Sequence, residues 1–529
     1  MAPEPAPRDS PAQPSAAGSG RGLAGADPGP HAAAARLLRP VLAAVYVLAA
    51  AALWALLPAL LQSVPHADNI EQLSWAHALQ WGYVKHPPLP TWLLHAALRL
   101  FRPGALLTYA LATACAALTL LLVWRCARLV LGPEAALVAL LLSSANYYLM
   151  GRASYFNHNT VMLPFVAASA WAVLRIASGG APWSVWLLLG LAQAGGLLTK
   201  YQMGVIALAN LLALLGAGAA REPRFARHAL LAAAATLLPL IPHLLWLQRN
   251  EFSSFAYAGH SLLAGLPVLD RVRLALGFLA QQVGRFAPAI VAAGLVLLAG
   301  RAGIASARGT APDAPGADPQ RRRALDRALL VLACAPLACV LLMGLLGGVA
   351  LQNHWGASTT LLLPLLAVAR ASALRKAAPG AVLGAVCAVQ LAAVSWSVAV
   401  ARRSQEFHYT FPAQALADQA QRYWEQHAAG SPAIIAGPDW EAGSISLELP
   451  SHPDVLASGD RRQAPWVDDA RLQRCGVLVV WRPEEPPGAQ VGAALADALQ
   501  HPAELRATGA NGRAWALRAG IIPPQGDGC

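Results

Sequence analysis

Residues 66–92 read HADNIEQLSWAHALQWGYVKHPPLPTW, from His66 to Trp92. Ionisable and aromatic side chains crowd this stretch: Asp68, Glu71, Trp75, Trp81, Tyr83, Lys85, His86 and Trp92. It follows directly on an apolar run, Pro40–Leu61, long enough to cross a bilayer, which takes about 20 residues. Outward from there, uncharged runs recur at 104–124, 131–150, 158–174, 183–199, 201–220, 228–247, 277–300, 328–350, 355–369 and 379–401. With 40–61 they make eleven candidate spans. Two are weak: 277–300 is interrupted by Arg285, which near a helix end would snorkel, and 355–369 is short. Of the 529 residues 56% are hydrophobic and 12% charged. A soluble domain carries about 25% charged residues, so lipid is the main solvent. The net charge of +12 does not indicate nucleic acid, because the arginines sit in short groups between the apolar runs.

Those basic residues set a topology. With the N-terminus inside, the inner segments hold Arg36, Arg39, Arg125, Arg128, Arg175, Arg221, Arg224, Arg227, Arg301, Arg308, Arg321, Arg322, Arg323, Arg327, Arg370, Arg375 and Lys376. The outer segments before residue 402 hold Lys85, Arg99, Arg102, Arg152, Lys200, Arg249, Arg271 and Arg273. The inner excess is what positive-inside insertion produces, and an odd number of spans places the C-terminus outside.

Residues 1–34 are rich in Pro, Ala and Gly without the apolar core of a signal peptide; they read as a disordered cytoplasmic tail. Residues 35–401 form the membrane domain, with long external segments at 62–103 and 248–273. The first contains a helical stretch, Ile70–Trp81, and an amphipathic Leu89–Phe101 suited to the interface. The connector 301–327 reads as a flexible loop. From Arg402 apolar runs shorten to strand length, at Ala433–Ala436 and Val477–Trp481, beside a helical Pro412–His427. Residues 402–529 therefore form a small α/β domain outside the membrane. Its Cys475 and Cys529 are compatible with a disulfide and equally with two free thiols.

Asp68 and Glu71, spaced i, i+3, share a face if a helix starts near Asp68, which could also cap it. A purely structural alternative makes Asp68 a cap and Glu71 a solvated surface acid. The segment resembles the first external loop of the GT-C glycosyltransferases in the protein-mannosyltransferase-like superfamily, which includes bacterial lipid A aminoarabinose transferases. The resemblance rests on Asp68-Asn69, Trp75, Gly82-Tyr83-Val84-Lys85-His86-Pro87-Pro88-Leu89 and Trp92. It extends to Tyr155-Phe156-Asn157-His158-Asn159, Gly196-Leu197-Leu198-Thr199-Lys200-Tyr201 and Asn353-His354-Trp355. Three positions depart from the pattern: Asn69 replaces a second acid, Gln72 a tyrosine, and Lys85 a glutamate that contributes to a metal site in the aminoarabinose transferases.

The resemblance implies transfer of a sugar from a polyprenyl-phosphate carrier to a lipid, glycan or protein acceptor, with inversion, at the periplasmic face of a bacterial inner membrane. Asp68 would be the base. Lys85, Lys200 and Arg249 would face the phosphate, although Lys200 is equally suited to snorkelling and for Arg249 a plain interfacial role is the stronger reading. Glu71, Tyr83, His86, Tyr155, Asn157, His158, Tyr201, Gln202 and His354 complete the candidate substrate-binding set. Trp75, Tyr83, Trp92 and Tyr155 would stack on sugar or anchor at the interface. His86, His158, His243 and His354 fall near one face, but no pair has metal-ligand spacing. A divalent metal is possible, and Lys85 would repel it. The alternatives are a transporter or lipid flippase, although no symmetry between halves is visible, and a non-catalytic binder of lipid-linked glycans. Membrane lipids are partners in every case; nucleic acid is not.

Overall fold

The computed structural model describes residues 30–259, 265–301, 318–525 and 529. Residues 1–29 of the expected tail, 260–264 of the second external segment and 302–317 of the connector lie outside the described residues. In chain order the helices of the first 400 residues are α1 Pro30–Leu61, α2 Ala67–Trp75, α3 Leu89–Leu98, α4 Ala105–Val130, α5 Pro133–Ser144, α6 His158–Ala177, α7 Trp183–Leu197, α8 Met203–Gly216, α9 Phe225–Leu237, α10 Ile241–Arg249, α11 Ser253–Gly259, α12 Val268–Arg301, α13 Pro319–Gly347, α14 Gly356–Thr359, α15 Leu363–Arg370, α16 Ser372–Arg375 and α17 Pro379–Ala401.

By length and apolarity seven of the described helical segments can cross a membrane: Arg39–Leu61, Ala105–Val130, His158–Ala177, Phe225–Arg249, Val268–Arg301, Pro319–Gly347 and Pro379–Ala401. The expected runs at 131–150, 183–199 and 201–220 contain the shorter apolar helices α5, α7 and α8. The run at 355–369 is broken into α14 and α15. Pro364 sits at the start of α15 and lacks the N–H that would carry a helix through this point. The surface is apolar where lipid would touch it, as at Leu60, Leu230, Leu346 and Trp396. Trp54 Nε1 donates to Gln390 Oε1 (2.8 Å), a buried polar pair that joins α1 to α17.

Two local expectations are revised. The helical stretch at 70–81 stops at Trp75. Beyond it the chain folds back, because Tyr83 stacks on Trp75 (5.1 Å between centroids) and donates its hydroxyl to Ala78 O. Trp92 Nε1 takes Gln80 O. Side chains thus satisfy carbonyls that a longer helix would have bonded. The connector at 301–327 is helical from Pro319 onward, since Asp318 caps α13 by accepting from Gln320 N (2.9 Å), with Pro319 at the first turn.

Beyond α17 come α18 Phe407–Thr410, α19 Ala413–His427, α20 Asp439–Glu448 and α21 Asp469–Cys475, with five strands: β1 Ile434–Gly437, β2 Asp454–Ala457, β3 Val477–Trp481, β4 Gln500–Thr508 and β5 Ala514–Ile522. The strand order is β2-β1-β3-β5-β4. β1 runs parallel to β2 and β3, with Ile435 opposite Leu478, while β5 is antiparallel to β3 and to β4. The three parallel strands are buried along their whole length, and two of them are the apolar runs legible in the sequence. One face packs Leu416, Ala420 and Trp424 of α19 on Ile435 and Leu478; the other packs Leu472 of α21 on Ile434, Val477 and Val479. Cys475 and Cys529 form a disulfide.

Helix α20 docks this small domain onto α2. At Gly443 an added Cβ would lie 2.3 Å from Ile70 Cγ2, so only glycine lets the helices meet. His77 Nδ1, just after α2, pairs with Asp454 at 3.1 Å. Replacing Gly443 with Ala is expected to cost about 1–3 kcal/mol through overpacking. In thermal unfolding it should lower the midpoint and speed proteolysis near residue 402; an unchanged midpoint would contradict the contact.

Candidate functional site

Helix α2 carries the site. Its N-cap is His66, not Asp68, and His66 makes no side-chain capping bond. Asp68 therefore lies inside the first turn, half-buried, with its carboxylate turned to a partner on another helix: Oδ2 accepts from Asn157 Nδ2 at 2.7 Å. Asn157 in turn caps α6, its Oδ1 accepting from Asn159 N (2.9 Å) and Thr160 N (3.0 Å). One asparagine thus fixes both the start of α6 and the direction of Asp68. Two residues on, Asn159 Oδ1 accepts from Lys200 Nζ at 2.6 Å. The start of α6 so presents a carboxylate and an ammonium side by side. Burial pulls the Lys200 ammonium down to a pKa of about 7, against the opposing pull of Asp68.

Two departures from the family pattern have structural explanations. Asn69 is fully buried; its Nδ2 donates to Thr108 Oγ1 (2.8 Å) and Ser154 O (3.1 Å), and its Oδ1 accepts from Phe156 N (3.1 Å). A carboxylate could not donate these bonds. Gln72 Oε1 accepts from Thr91 Oγ1 (2.9 Å), tying α2 to α3. Both positions hold the loop rigid beneath Asp68.

Glu71, one turn from Asp68, forms an ion pair with Lys85, and Lys85 Nζ lies 4.0 Å from Asp439 Oδ2 at the start of α20. Burial holds the Glu71 carboxyl above its ordinary range, with Lys85 opposing. Lys85 therefore bridges carboxylates on α2 and α20. The side chains keep 25% and 22% of their surface exposed. Breaking the pair with Lys85→Met is thus expected to cost about 1–3 kcal/mol, below the roughly 3–5 kcal/mol of a fully buried pair. The double variant Glu71→Met/Lys85→Met should be more stable than the sum of the single variants; strict additivity in a thermal double-mutant cycle would rule the pair out.

Around this centre His86 and His158 lie 4.0 Å apart between centroids, and both meet the edge of Trp75. Burial, then the nearby His158, Lys200, Lys85 and His354, keeps the His86 imidazole well below its ordinary pKa. His66 stacks on Tyr155 at 4.0 Å, and burial keeps it neutral down to about 4. His354 sits in a 3-10 turn, Asn353–Trp355; burial and the cations Lys200, Arg152 and Arg285 hold it far below its usual range. Gln202 Nε2 donates to Trp355 O (3.2 Å), closing the turn over Lys200.

Other candidates have structural duties. Tyr83 is spent on Trp75 and Ala78 O. Tyr201 bonds His243 Nε2 at 3.0 Å while His243 Nδ1 reaches Trp81 O at 2.7 Å, so the Tyr201 hydroxyl donates and the histidine carries its proton on Nδ1. Arg249 ends α10 exposed to solvent and is in none of these contacts. A cavity of about 150 Å³ lined by Leu73, His77, Leu447 and Val455 contains none of the candidate residues.

Arg152 and Arg285 emerge only in three dimensions. Arg152 lies over the Tyr155 ring at 4.5 Å, and Arg285 over Tyr147 and Tyr148 at 5.4 and 5.1 Å. Arg285 is in the middle of α12, not at its end, and its buried Nε has no hydrogen-bond partner. The snorkelling reading therefore fails. An arginine in an apolar run is itself a site signal, because its burial is costly. Among the described residues no group of three His, Cys, Asp or Glu side chains could hold a metal ion, and the Lys85 ammonium beside Glu71 is ill suited to a neighbouring cation.

Fold, site and sequence together define a class: the chain has the GT-C fold and is similar to membrane glycosyltransferases of the protein-mannosyltransferase-like superfamily. Residues 85–246 match the family described as dolichyl-phosphate-mannose-protein mannosyltransferase. Among curated proteins it is similar to the lipopolysaccharide core galacturonosyltransferase RgtB of Rhizobium johnstonii, 26% identical over 79% of this chain and 82% of that protein. RgtA of the same organism, also named a lipopolysaccharide core galacturonosyltransferase, is 26% identical over 56% of this chain and 57% of its own length. Among solved structures, ArnT from Cupriavidus metallidurans bound to undecaprenyl phosphate shares the fold with a TM-score of 0.60, covering 90% of this chain and 97% of that one at 14% identity.

Proposed function

We propose that the protein transfers a sugar from a polyprenyl-phosphate carrier to a hydroxyl of an envelope glycolipid, with inversion, at the periplasmic face of the inner membrane. The observation that carries this reading is the placement of Asp68 on Asn157 and of Lys200 on Asn159 at the start of α6, with the charges of Lys200, Arg152 and Arg285 acting on the nearby His354. The acceptor oxygen attacks C1 of the sugar while its proton passes to the Asp68 carboxylate. The C1–O bond to phosphate breaks, and its electron pair leaves on the phosphate. The second negative charge that forms there meets Lys200, Arg152 and Arg285, cations already held in a site with little water. His354 stays neutral and serves as a hydrogen-bonding group. Asn157 aims the base and needs no proton of its own.

A glycolipid acceptor is supported by the names of the two curated relatives, and the carrier by the undecaprenyl phosphate in the ArnT structure. An extracytoplasmic site agrees with the basic residues of the inner loops and with the Cys475–Cys529 disulfide, a bond favoured in oxidising compartments. Mass spectrometry of envelope lipids and glycans, from cells with and without the protein, tests the reading. It predicts one glycolipid lighter by a single sugar residue in the deleted strain. Identical glycolipid profiles, with a shifted membrane transport phenotype, would favour a transporter instead.

A further inference from the structure

The C-terminal domain presents a ridge of aromatic rings that runs toward Asp68. It starts at Trp440 on α20, which is 47% exposed although it belongs to a domain with its own core. Trp440 lies 6.0 Å from Phe407. The next residue, His408, is 5.8 Å from His66, and His66 stacks on Tyr155. Backbone bonds from Ser63 N and Val64 N to His408 O fix this strip to the segment that leads into α2. Asp68 follows His66 by two residues. Carboxylates border the rings: Asp439 accepts from Ser458 Oγ (2.9 Å) and faces Lys85, and Glu406 lies 3.5 Å from His408 Nε2.

A half-exposed indole beside partly buried rings, with carboxylates at their border, suits a saccharide. The C–H faces of a pyranose ring are weakly positive and lie on the electron-rich face of an aromatic ring, while its hydroxyls donate to carboxylates. An exposed tryptophan continuous with a reactive carboxylate marks a binding surface rather than a stray side chain. We infer that the ridge Trp440–Phe407–His408–His66, with Asp439, is the acceptor subsite and takes an oligosaccharide. The chain of sugars lies along it and delivers its terminal hydroxyl to Asp68. This rests on the transferase reading and adds the acceptor class and the residues that select it.

The test uses the full chain in detergent and, as probe, the core oligosaccharide released from lipopolysaccharide by mild acid. Saturation-transfer NMR should show binding to the wild type. Trp440→Ala should weaken it about tenfold, the order of one aromatic stacking contact. Asp439→Asn should weaken it too, and Trp440→Phe should largely restore it. Asp68→Asn should bind the oligosaccharide like the wild type while failing to glycosylate it. The subsite is overturned if the oligosaccharide does not bind, if Trp440→Ala and Asp439→Asn bind it like the wild type, or if only a Ser/Thr-rich peptide binds the ridge. Normal turnover by Asp68→Asn, with oligosaccharide binding still lost in Trp440→Ala, would instead remove the base and leave the subsite standing.

Discussion

Asp68→Asn is expected to lower kcat by about 10³-fold or more while leaving donor binding within a few-fold of the wild type. The reason is geometric. An asparagine at 68 can still accept from Asn157 Nδ2 through its amide oxygen, so α2 and α6 stay in register. What disappears is a carboxylate, beside Lys200, able to take the acceptor's proton. Asp68→Glu should also be impaired, because one extra methylene swings the carboxylate off the Asn157 bond. Single-turnover assays with a labelled polyprenyl-phosphate sugar separate binding from chemistry. A kcat for Asp68→Asn within about tenfold of the wild type would remove Asp68 from the base role.

The second large effect belongs to Lys200. Its ammonium is the proton-bearing form below about pH 7 and loses its charge above it, because burial favours the neutral amine. If the cation neutralises the departing phosphate, kcat/KM for the donor falls about tenfold per pH unit above pH 7. Bound donor is anionic and stabilises the charged lysine, so the corresponding limb in kcat lies at higher pH. Lys200→Arg keeps its charge throughout and should move the alkaline limb upward by several units. Lys200→Ala should lose about 10²–10³-fold at all pH values, the scale of one lost charge-stabilising donor. An alkaline limb that stays in place in Lys200→Arg would assign it to another group.

The sequence made the membrane character, the positions of the apolar runs and the importance of residues 66–92 legible, because each is a local property. The uncharged runs at 40–61 and 379–401 needed only counting. The two buried parallel strands with apolar sequences, Ile434–Gly437 and Val477–Trp481, were equally plain. β2, as short as β1, opens on the charged Asp454 and carries only Val455 and Leu456 as large apolar residues, so it does not stand out as an apolar run. β4 is an exposed edge interrupted by Pro502, and β5 lacks a continuous alternation, so neither shows a strand period. Within the site, Asp68, Asn157, His158, Lys200 and His354 were readable as polar residues at span ends. Which of them meet was not. No local pattern shows that Lys85 lies between Glu71 and Asp439. Arg249 is exposed at the end of α10, whereas Lys200 is bonded to Asn159, a difference that their similar positions beside apolar runs do not show. Arg152 and Arg285 lie 84 and 217 residues after Asp68, a relation that no local pattern encodes.

The most direct test of the central claim is transfer itself, in proteoliposomes containing only the purified chain, a labelled polyprenyl-phosphate sugar and a lipopolysaccharide-core acceptor. The account predicts a new glycosidic bond of inverted anomeric configuration, with polyprenyl phosphate released one for one. Movement of the labelled lipid across the bilayer with no new glycosidic bond would contradict it.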